Sequence, residues 1–338
     1  MTDTTGSRRH VTSNDVARRA GVSRSAVSRT FTDGASVSAE TREKVIKAAR
    51  ELGYRVNVLA RSLHKQRTDL VGIVAANLDN PFRAEQIDFL SSMLLEKGFR
   101  PILLRGDRAD DVADLIGSLL QYSVAGVIVT SDTPPKEICM ECHSHGVPLV
   151  VVNKQDTGAP VDRVLTDFAA GGRLAFKHLR EIGCNRLAVV VPKRASYTVL
   201  GRALAFETLA KAEGWDVLKL EAGGQSYAGG LAAAHAFAEA ASGIDGVFCV
   251  ADYMALGFLD GLRFDHNVKV PEDLKVVGYD DIPQSSWKAY DLTTIAQSRE
   301  ELSEVTMRLL LDRLETPEAP PHEVITGVTL VQRGSTAT

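Results

Sequence analysis

Residues 11–57 read VTSNDVARRAGVSRSAVSRTFTDGASVSAETREKVIKAARELGYRVN, and this stretch decides the fold of the N-terminal part of the chain. Asp15 follows Thr12 at a distance of three residues, which is typical of a capping box with Asp in place of Glu or Gln. Val16 and Ala20 recur four residues apart and predict one apolar helix face. The stretch therefore opens with a short amphipathic helix.

A glycine turn ends this first predicted helix. Gly21 permits a sharp turn, and Ser23 can cap the helix that follows. In that second helix, Ala26 and Val27 are expected to face inward. The outward positions carry small polar and cationic side chains, namely Arg24, Ser25, Ser28 and Arg29. Side chains of this kind suit the major groove of DNA.

A third helix is predicted to cover the first two. Ser38 caps its start and Gly53 stops it. Its covering face is expected to consist of Val45, Ile46, Ala49 and Leu52. Two short helices joined by a glycine turn, with a third helix across them, form the plan of a helix-turn-helix domain.

The same stretch resembles the DNA-binding headpiece of the lactose/galactose-repressor family of bacterial regulators. The sequence departs from the family pattern at Ala26, Thr32 and Val56, so the operator sequence stays open. The resemblance rests on a spaced set of residues, namely Asp15-Val16-Ala17, Ala20-Gly21-Val22-Ser23, Val27-Ser28-Arg29, Val37-Ser38, Thr41-Arg42 and Leu52-Gly53-Tyr54.

The resemblance also implies which residues contact DNA. It assigns residues 8–56 to an all-α headpiece and residues 57–67 to a hinge helix that folds on the operator, with a plain linker as the alternative. Leu63 matches the leucine that enters the minor groove and kinks the duplex. The predicted DNA contacts are Thr12, Ser23, Arg24, Ser25, Ser28, Arg29, Asn57 and Leu63.

Charge is distributed unevenly along the 338 residues. Residues 1–67 contain 14 Lys and Arg against 6 Asp and Glu, a net charge of +8, whereas the other 271 residues contain 25 against 37, a net charge of −12. A basic head on an acidic body fits a head that binds nucleic acid without competition from the body.

Composition argues against several other classes of protein. The sequence has no apolar run near the length of a membrane span. Residues 1–10 lack the apolar region of a signal peptide. The 4 cysteines are too few for a disulfide framework, so we expect a cytoplasmic protein.

From Leu70 onward, apolar runs alternate with helical patterns. Such alternation predicts parallel sheets with helices on both faces. This part of the chain is longer than a typical single α/β domain built on one sheet. We therefore expect two doubly wound α/β lobes with a ligand cleft between them. The predicted strands are Leu70–Ala75, Arg100–Arg105, Gly126–Thr130, Leu149–Asn153, Arg186–Pro192, Asp216–Glu221, Gly246–Val250 and Leu274–Tyr279. The predicted helices are Phe82–Gly98, Asp110–Tyr122, Pro135–His145, Gly171–Ile182, Gly201–Glu213, Tyr227–Ala241 and Tyr253–Arg263.

The resemblance to the family continues over this body and implies a core similar to the periplasmic sugar-binding proteins. In that pattern the chain crosses between the lobes three times. The N-lobe is then 68–165 plus 292–322, and the C-lobe is 166–291 plus 323–333. The matching residues include Asn80-Pro81-Phe82, Gly201-Arg202, Asp252, Met254-Ala255-Leu256-Gly257 and Val277-Gly278-Tyr279-Asp280-Asp281.

The family pattern places effector contacts in the cleft. An Arg202 guanidinium and an Asp280 carboxylate suit a hydroxyl-rich ligand, although a solvated arginine and a turn aspartate are the ordinary alternatives. Arg83 stands where the family more often has an aromatic residue. In the cleft it would favour a sugar acid or a phosphorylated sugar, and exposure to solvent is the alternative. The predicted effector contacts are Asn80, Phe82, Arg83, Arg202, Asp252 and Asp280.

The segment Cys139–His145 contains the spelling C-x-x-C-H. The pattern occurs in haem attachment and offers potential zinc ligands, whereas the end of an amphipathic helix is the ordinary interpretation. We favour the helix and predict no metal site and no cofactor.

Enzyme signatures are lacking as well, because the sequence contains no G-x-S-x-G, H-E-x-x-H or Walker motif. We therefore expect no catalytic residues. The prediction is a homodimeric transcription regulator, a repressor, that binds a pseudo-palindromic operator and a small carbohydrate-like effector. The alternative is a sugar-binding or sugar-metabolising α/β protein whose basic head serves another purpose. Residues 330–338 show no leucine heptad, which argues against a coiled-coil tetramer.

Overall fold

The computed structural model describes residues 11–32, 35–55, 68–106, 108–240 and 243–337. The chain forms two compact units, a head of residues 1–68 and a body of residues 69–338. Within the described residues, no helix combines the length and the apolar character needed to cross a bilayer.

The head consists of three helices, α1 (Ser13–Ala20), α2 (Arg24–Thr30) and α3 (Ala39–Leu52). Thr12 begins α1 with the predicted capping box, since its hydroxyl lies 2.7 Å from an Asp15 carboxylate oxygen that also accepts from the Thr12 amide at 2.9 Å. This arrangement satisfies backbone donors that a helix start leaves unpaired.

Glycines terminate two of these helices in the left-handed region. Gly21 has φ +66° and Gly53 has φ +65°, where a side chain would be disfavoured. The helices enclose a small core of Val16, Ala17, Val27, Val45, Ala48 and Ala49. Ala48 therefore takes the buried position predicted for Ile46, which is only half-buried.

The body contains two lobes, each built on a six-stranded sheet. The N-lobe sheet has the order β11-β5-β4-β3-β1-β2, with every neighbouring pair parallel. Its elements are β1 (Leu70–Ala75), α4 (Pro81–Glu96), β2 (Arg100–Arg105), α5 (Ala109–Gln121), β3 (Gly126–Val129), α6 (Lys136–Ser144), β4 (Leu149–Val152), β5 (Asp162–Thr166), α11 (Arg299–Glu315) and β11 (Glu323–Thr326).

The C-lobe repeats this plan with one difference. Its sheet has the order β12-β10-β9-β8-β6-β7, and β12 runs antiparallel to β10 at the edge. Its elements are α7 (Phe168–Glu181), β6 (Leu187–Pro192), α8 (Tyr197–Ala212), β7 (Val217–Ala222), α9 (Tyr227–Ala240), β8 (Gly246–Cys249), α10 (Asp252–Asp260), a π-helical turn (Gly261–Asp265), β9 (Lys275–Asp280), a 3₁₀ turn (Pro283–Ser286), β10 (Thr293–Gln297), β12 (Val328–Val331) and a second 3₁₀ turn (Gly334–Thr336). The predicted class of two doubly wound lobes is confirmed.

The three predicted crossings between the lobes differ from the structure, the first by the single residue Thr166 and the other two by several residues. Residues 292–298 were assigned to the N-lobe, yet β10 pairs with β9 of the C-lobe sheet. Residues 323–326 were assigned to the C-lobe, yet β11 pairs with β5 of the N-lobe sheet. The chain therefore crosses after Thr166, after Gln297 and at Gly327. The reason is that strand pairing decides lobe membership, and these short strands carry little apolar signal.

Helices α9 and α10 approach closely because of two glycines. A Cβ on Gly230 would lie 1.9 Å from the Met254 carbonyl oxygen, and a Cβ on Gly257 would lie 2.0 Å from the Tyr227 carbonyl oxygen. Both distances are far below van der Waals contact. The backbones of the two helices therefore touch at positions where only glycine fits.

Candidate nucleic-acid interface and effector cleft

Helix α2 presents one polar face to solvent. Its opposite face buries Val27 and Thr30 against the other helices. The Ser23 hydroxyl caps the helix by accepting from the Ala26 amide at 3.2 Å. The exposed residues are Ser23, Arg24, Ser25, Ser28 and Arg29, the same set that the sequence predicted for DNA contact.

Of the three other predicted DNA contacts, the structure describes only Thr12. Thr12 is exposed at the start of α1, where its side chain is held by Asp15. Asn57 and Leu63 lie outside the described residues, as does the predicted hinge of residues 57–67.

A cleft lies between the lobes at the carboxyl ends of their strands. This is where doubly wound sheets bind ligands, because loops from neighbouring strands converge there. The N-lobe contributes side chains that follow β1, β3 and β4, namely Asn80, Phe82, Arg83, Gln86, Thr130, Val152, Asn153 and Lys154. The C-lobe contributes Ser196, Thr198, Val199, Arg202, Gln225, Asp280 and Gln297.

Arg202 and Asp280 form a buried ion pair at the C-lobe wall. The Arg202 Nη1 atom lies 3.0 Å from Asp280 Oδ1 and donates to the Val250 carbonyl oxygen at 2.8 Å. Its guanidinium lies over the Tyr279 ring, 3.6 Å from the centroid. Arg202 lies in the second turn of α8 and not, as predicted, at the start of a helix.

Asp280 ends β9 in an uncommon backbone conformation, with φ +122°. Its Oδ1 accepts from Gln297 Nε2 at 2.7 Å in addition to Arg202. Burial raises the pKa of Asp280, while Arg202 and Gln297 oppose that shift. Its Oδ2 has no hydrogen-bond partner among the described residues, so it is available to a ligand hydroxyl.

Three predicted contacts lie on the N-lobe wall. Asn80 caps α4, since its Oδ1 accepts from the Phe82 amide at 3.0 Å. Arg83 follows one turn later, and its Nη1 donates to the Thr130 carbonyl oxygen at 2.6 Å. The structure thus places Arg83 on the cleft wall, and not in solvent as the alternative held.

Asp252, which the sequence predicted as an effector contact, does not line the cleft. It is fully buried below the floor, where its carboxylate accepts from the Thr294 and Ser285 hydroxyls at 2.7 Å each and from the Ile282 amide at 3.1 Å. Burial raises its pKa to about 7, and the neighbouring Asp280 adds to the shift. Its place is explained by Gly278, because a Cβ there would lie 2.0 Å from Asp252 Oδ1.

Comparison with known proteins finds a family for the head and a domain family for the body. Residues 12–57 match the family described as "Bacterial regulatory proteins, lacI family", and residues 176–336 match the family described as "Periplasmic binding protein-like domain". The HTH-type transcriptional regulator CelR of Thermobifida fusca is 32% identical over an alignment 341 residues long, gaps included. The alignment covers 97% of this chain and 99% of CelR. The chain belongs to the lacI family of bacterial regulatory proteins. It is a DNA-binding transcription regulator with a helix-turn-helix head, as the sequence predicted.

Solved structures show the same architecture for this lacI-family regulator. A complex of the transcriptional regulator CelR with cellobiose is 29% identical, with a TM-score of 0.70 and coverage of 96% of this chain and 100% of that one. A lac repressor dimer bound to operator and an anti-inducer is 24% identical, with a TM-score of 0.86 and coverage of 98% and 100%, and it shows the shared fold.

Sequence reasoning missed many of the polar groups in the regulator's cleft, and two of them are Lys154 and Gln297. Lys154 follows β4 and is 4% exposed, and Gln297 ends β10 and is 3% exposed. The position of Lys154, just past a four-residue apolar strand, is the same signal that identified Asp280. Gln297 had no such signal, because β10 was not predicted.

The Cys139–His145 segment forms the end of α6 and the turn after it. Cys139 and Cys142 are fully buried, and burial raises the pKa of the Cys139 thiol to about 11 and that of Cys142 to about 12. Among the described residues, no group of three or more His, Cys, Asp or Glu could hold a metal ion. The two thiols serve as small apolar side chains in the core.

Proposed function

We propose that this regulator is a repressor whose affinity for operator DNA is set by a small carbohydrate-like effector bound between the lobes. The observation that carries the proposal is a polar cleft formed by both lobes, on the same chain as a helix-turn-helix head. The cellobiose complex of CelR supports it, because CelR resembles this chain over almost its full length.

The residues on the exposed face of α2 support the proposal that this helix contacts base edges in the major groove. Arg24 and Arg29 are exposed arginines, and arginine is the side chain that most often contacts guanine in the major groove. Ser23, Ser25 and Ser28 add short hydrogen-bonding groups beside them. Thr12, at the N-terminus of α1, is proposed to contact the phosphate backbone.

The hinge and the dimer belong to the same proposal. Residues 57–67 lie outside the described residues; from the family resemblance we propose for them the role of a hinge helix on the operator that begins at Asn57 and places Leu63 in the minor groove as a wedge. Two subunits related by a twofold axis place their α2 helices on the two halves of a pseudo-palindromic operator. Support for this part comes from the family resemblance.

The cleft offers a physical route from effector to DNA. Arg202 and Asp280 contact the ligand from the C-lobe, while Phe82 and Arg83 contact it from the N-lobe. Asn80 positions these two by capping α4. A ligand that touches both walls favours one arrangement of the lobes, and operator affinity changes with the population of that arrangement.

The regulator works by binding, without a catalytic step and without a cofactor, and it works in the cytoplasm beside the DNA. This part of the proposal is supported by the relatives, which are transcription regulators, and by the absence of enzyme signatures in the sequence.

Selection of binding sites from random duplex DNA tests the proposal. The full chain is expected to enrich a sequence with two inverted half-sites. A sugar that raises the melting temperature of the protein is then expected to change its affinity for that sequence. Failure to enrich any sequence would exclude the repressor function, and an asymmetric sequence would exclude the homodimer.

A further inference from the structure

The cleft contains more positive than negative charge. Its charged lining residues are three cations, Arg83, Lys154 and Arg202, and one carboxylate, Asp280. Arg202 is paired with Asp280. Among the described residues, no carboxylate lies within ion-pair distance of Arg83 or Lys154. Two cations on the N-lobe wall therefore lack a direct ion-pair partner among the described residues.

Lys154 is the most unusual of these groups. Its side chain is 4% exposed, and within the described parts of the chain its Nζ atom has neither a hydrogen-bond partner nor an ion-pair partner. A buried ammonium without a partner destabilises a protein strongly. Lys154 lines the cleft and its ammonium has no partner among the described residues that would offset this cost, so its partner is expected to be a molecule that enters the cleft.

Hydrogen-bond donors in the cleft show the same imbalance. The side-chain amide nitrogen of Gln86 and the Nε atom of Arg202 are buried without a partner, and so is one acceptor, the Gln297 Oε1 atom. Arg83 uses one of its nitrogens on the Thr130 carbonyl oxygen. Acceptors on a ligand would satisfy most of these groups.

From this arrangement we infer that the effector is an acidic carbohydrate, a hydroxylated molecule with one carboxylate or phosphate group held by Lys154 and Arg83. The Arg202–Asp280 pair then contacts its hydroxyls from the opposite wall. This inference rests on the proposed effector cleft and adds the charge of its ligand.

The pKa of Lys154 agrees with this geometry. Burial lowers it to about 7, Arg83 adds to the shift, and Asp132 opposes it. Burial also lowers the pKa of Arg83, while the charge of Asp280 opposes that shift and Arg202 adds to it. An anion in the cleft would relieve both groups, because an opposite charge favours their protonated forms.

Thermal shift measurements with matched ligands provide the test. The probes are glucose, glucuronate and glucose 6-phosphate, the same three forms of galactose, and inorganic phosphate, all at equal ionic strength against chloride. The proteins are the wild type, Lys154→Met, and the control Lys97→Met, which removes an exposed lysine of the N-lobe.

The acidic probes, inorganic phosphate included, are expected to raise the melting temperature of the wild type and of Lys97→Met. Lys154→Met should lose most of this response, with at least tenfold weaker binding of the acidic sugar. The acidic group is identified by which of the two sets of acidic sugars, the uronates or the sugar phosphates, gives the larger increase in melting temperature. Without any ligand, Lys154→Met should melt at a higher temperature than the wild type.

Several results would overturn the inference. Equal responses of the wild type and Lys154→Met to inorganic phosphate would show that the lysine does not bind anions, whether or not any sugar binds. A lower melting temperature of ligand-free Lys154→Met would show that Lys154 has a structural role. A neutral sugar that binds both proteins equally well would reject an acidic effector and leave the carbohydrate cleft intact.

Discussion

Arg29 is the residue on which we expect recognition of the operator to depend most directly. It is exposed on α2, and its Nε atom lies 3.4 Å from the Ser25 carbonyl oxygen, a long contact that leaves the guanidinium tip free to reach a base. We expect Arg29→Ala to weaken operator binding by about 1–3 kcal/mol while non-specific binding falls much less. Fluorescence anisotropy with operator and scrambled duplexes measures both.

The matched control is Arg50→Ala, which removes an exposed arginine from the last turn of α3. It should change both affinities equally or not at all. Equal losses on both duplexes for Arg29→Ala would instead make Arg29 a phosphate contact.

The Arg202–Asp280 pair makes the cleft wall sensitive to single substitutions. Arg202→Met leaves the Asp280 carboxylate buried with only Gln297, so we expect the free energy of unfolding to fall by about 3–5 kcal/mol. Adding Asp280→Asn should restore part of that loss, because the asparagine is neutral. Denaturant unfolding of the single and double variants measures the coupling, and additive losses would contradict it.

Lys154 predicts an unusual dependence of stability on pH. Its folded-state pKa of about 7 lies below the ordinary value of 10.5, so between these values the unfolded chain holds a proton that the folded chain lacks. The free energy of unfolding of the wild type should therefore rise with pH in that window, relative to Lys154→Met. Below pH 7 both states are charged and the variant has its largest advantage, on the order of a few kcal/mol.

Urea unfolding at pH 6, 8 and 10 measures this advantage. Asp252, whose raised pKa also changes stability with pH, is present in both proteins and cancels in the comparison. An advantage that stays constant from pH 6 to pH 10 would show that Lys154 keeps an ordinary pKa.

At the scale of secondary-structure elements, the contact between α9 and α10 leaves no room for a side chain at Gly230 or Gly257. Gly257→Ala places a methyl group 2.0 Å from the Tyr227 carbonyl oxygen, and backbone can yield only if the helices separate. We expect a loss of about 1–3 kcal/mol in the free energy of unfolding. The control is Gly117→Ala in α5, where no atom lies within 4 Å of the new Cβ. That change should stabilise the helix by about 0.5–1 kcal/mol. A neutral Gly257→Ala would mean that the helices separate at no cost.

The sequence predicted eight of the described strands well and missed β5, β10, β11 and β12. Strands β1 and β2 have the predicted bounds, and the other predicted strands differ by a residue at their ends. Most of these strands are apolar runs because helices cover both faces of the sheet. Strand β5 begins with Asp162 and Arg163, and β11 exposes Glu323 and Ile325 at the sheet edge. Such strands owe their pairing to neighbours that are distant in sequence, so no local pattern identifies them.

The candidate site could also be predicted only in part. Arg202 and Asp280 could be predicted to line the cleft because each belongs to a motif of the family pattern. Asp252 belongs to an equally clear motif, yet it turned out to anchor Ser285 and Thr294 below the cleft. A motif identifies an important carboxylate, but only the three-dimensional path of the chain decides whether that carboxylate faces a ligand or the protein.

At the scale of the whole molecule, the stability of both lobes depends on two neighbouring strands, β11 and β12. Residues 323–326 complete the N-lobe sheet, and residues 328–331 complete the C-lobe sheet one residue later. Deletion of residues 323–338 should therefore destabilise both lobes at once, and the near-UV circular dichroism of the whole body should be lost. Deletion of residues 1–10 serves as the control and should leave that spectrum unchanged. A truncated chain with one lobe still folded would contradict this prediction.

The position of β11 and β12 after all the other described strands also imposes an order on synthesis. The head has its own core within residues 16–49 and can fold as soon as it leaves the ribosome. Neither sheet of the body can be completed until residues 323–331 emerge, which at about 5–20 residues per second takes on the order of tens of seconds more. For that interval a nascent chain carries a folded helix-turn-helix head on a body whose proposed effector cleft is not yet complete, so the part that binds DNA is formed before the part proposed to regulate it.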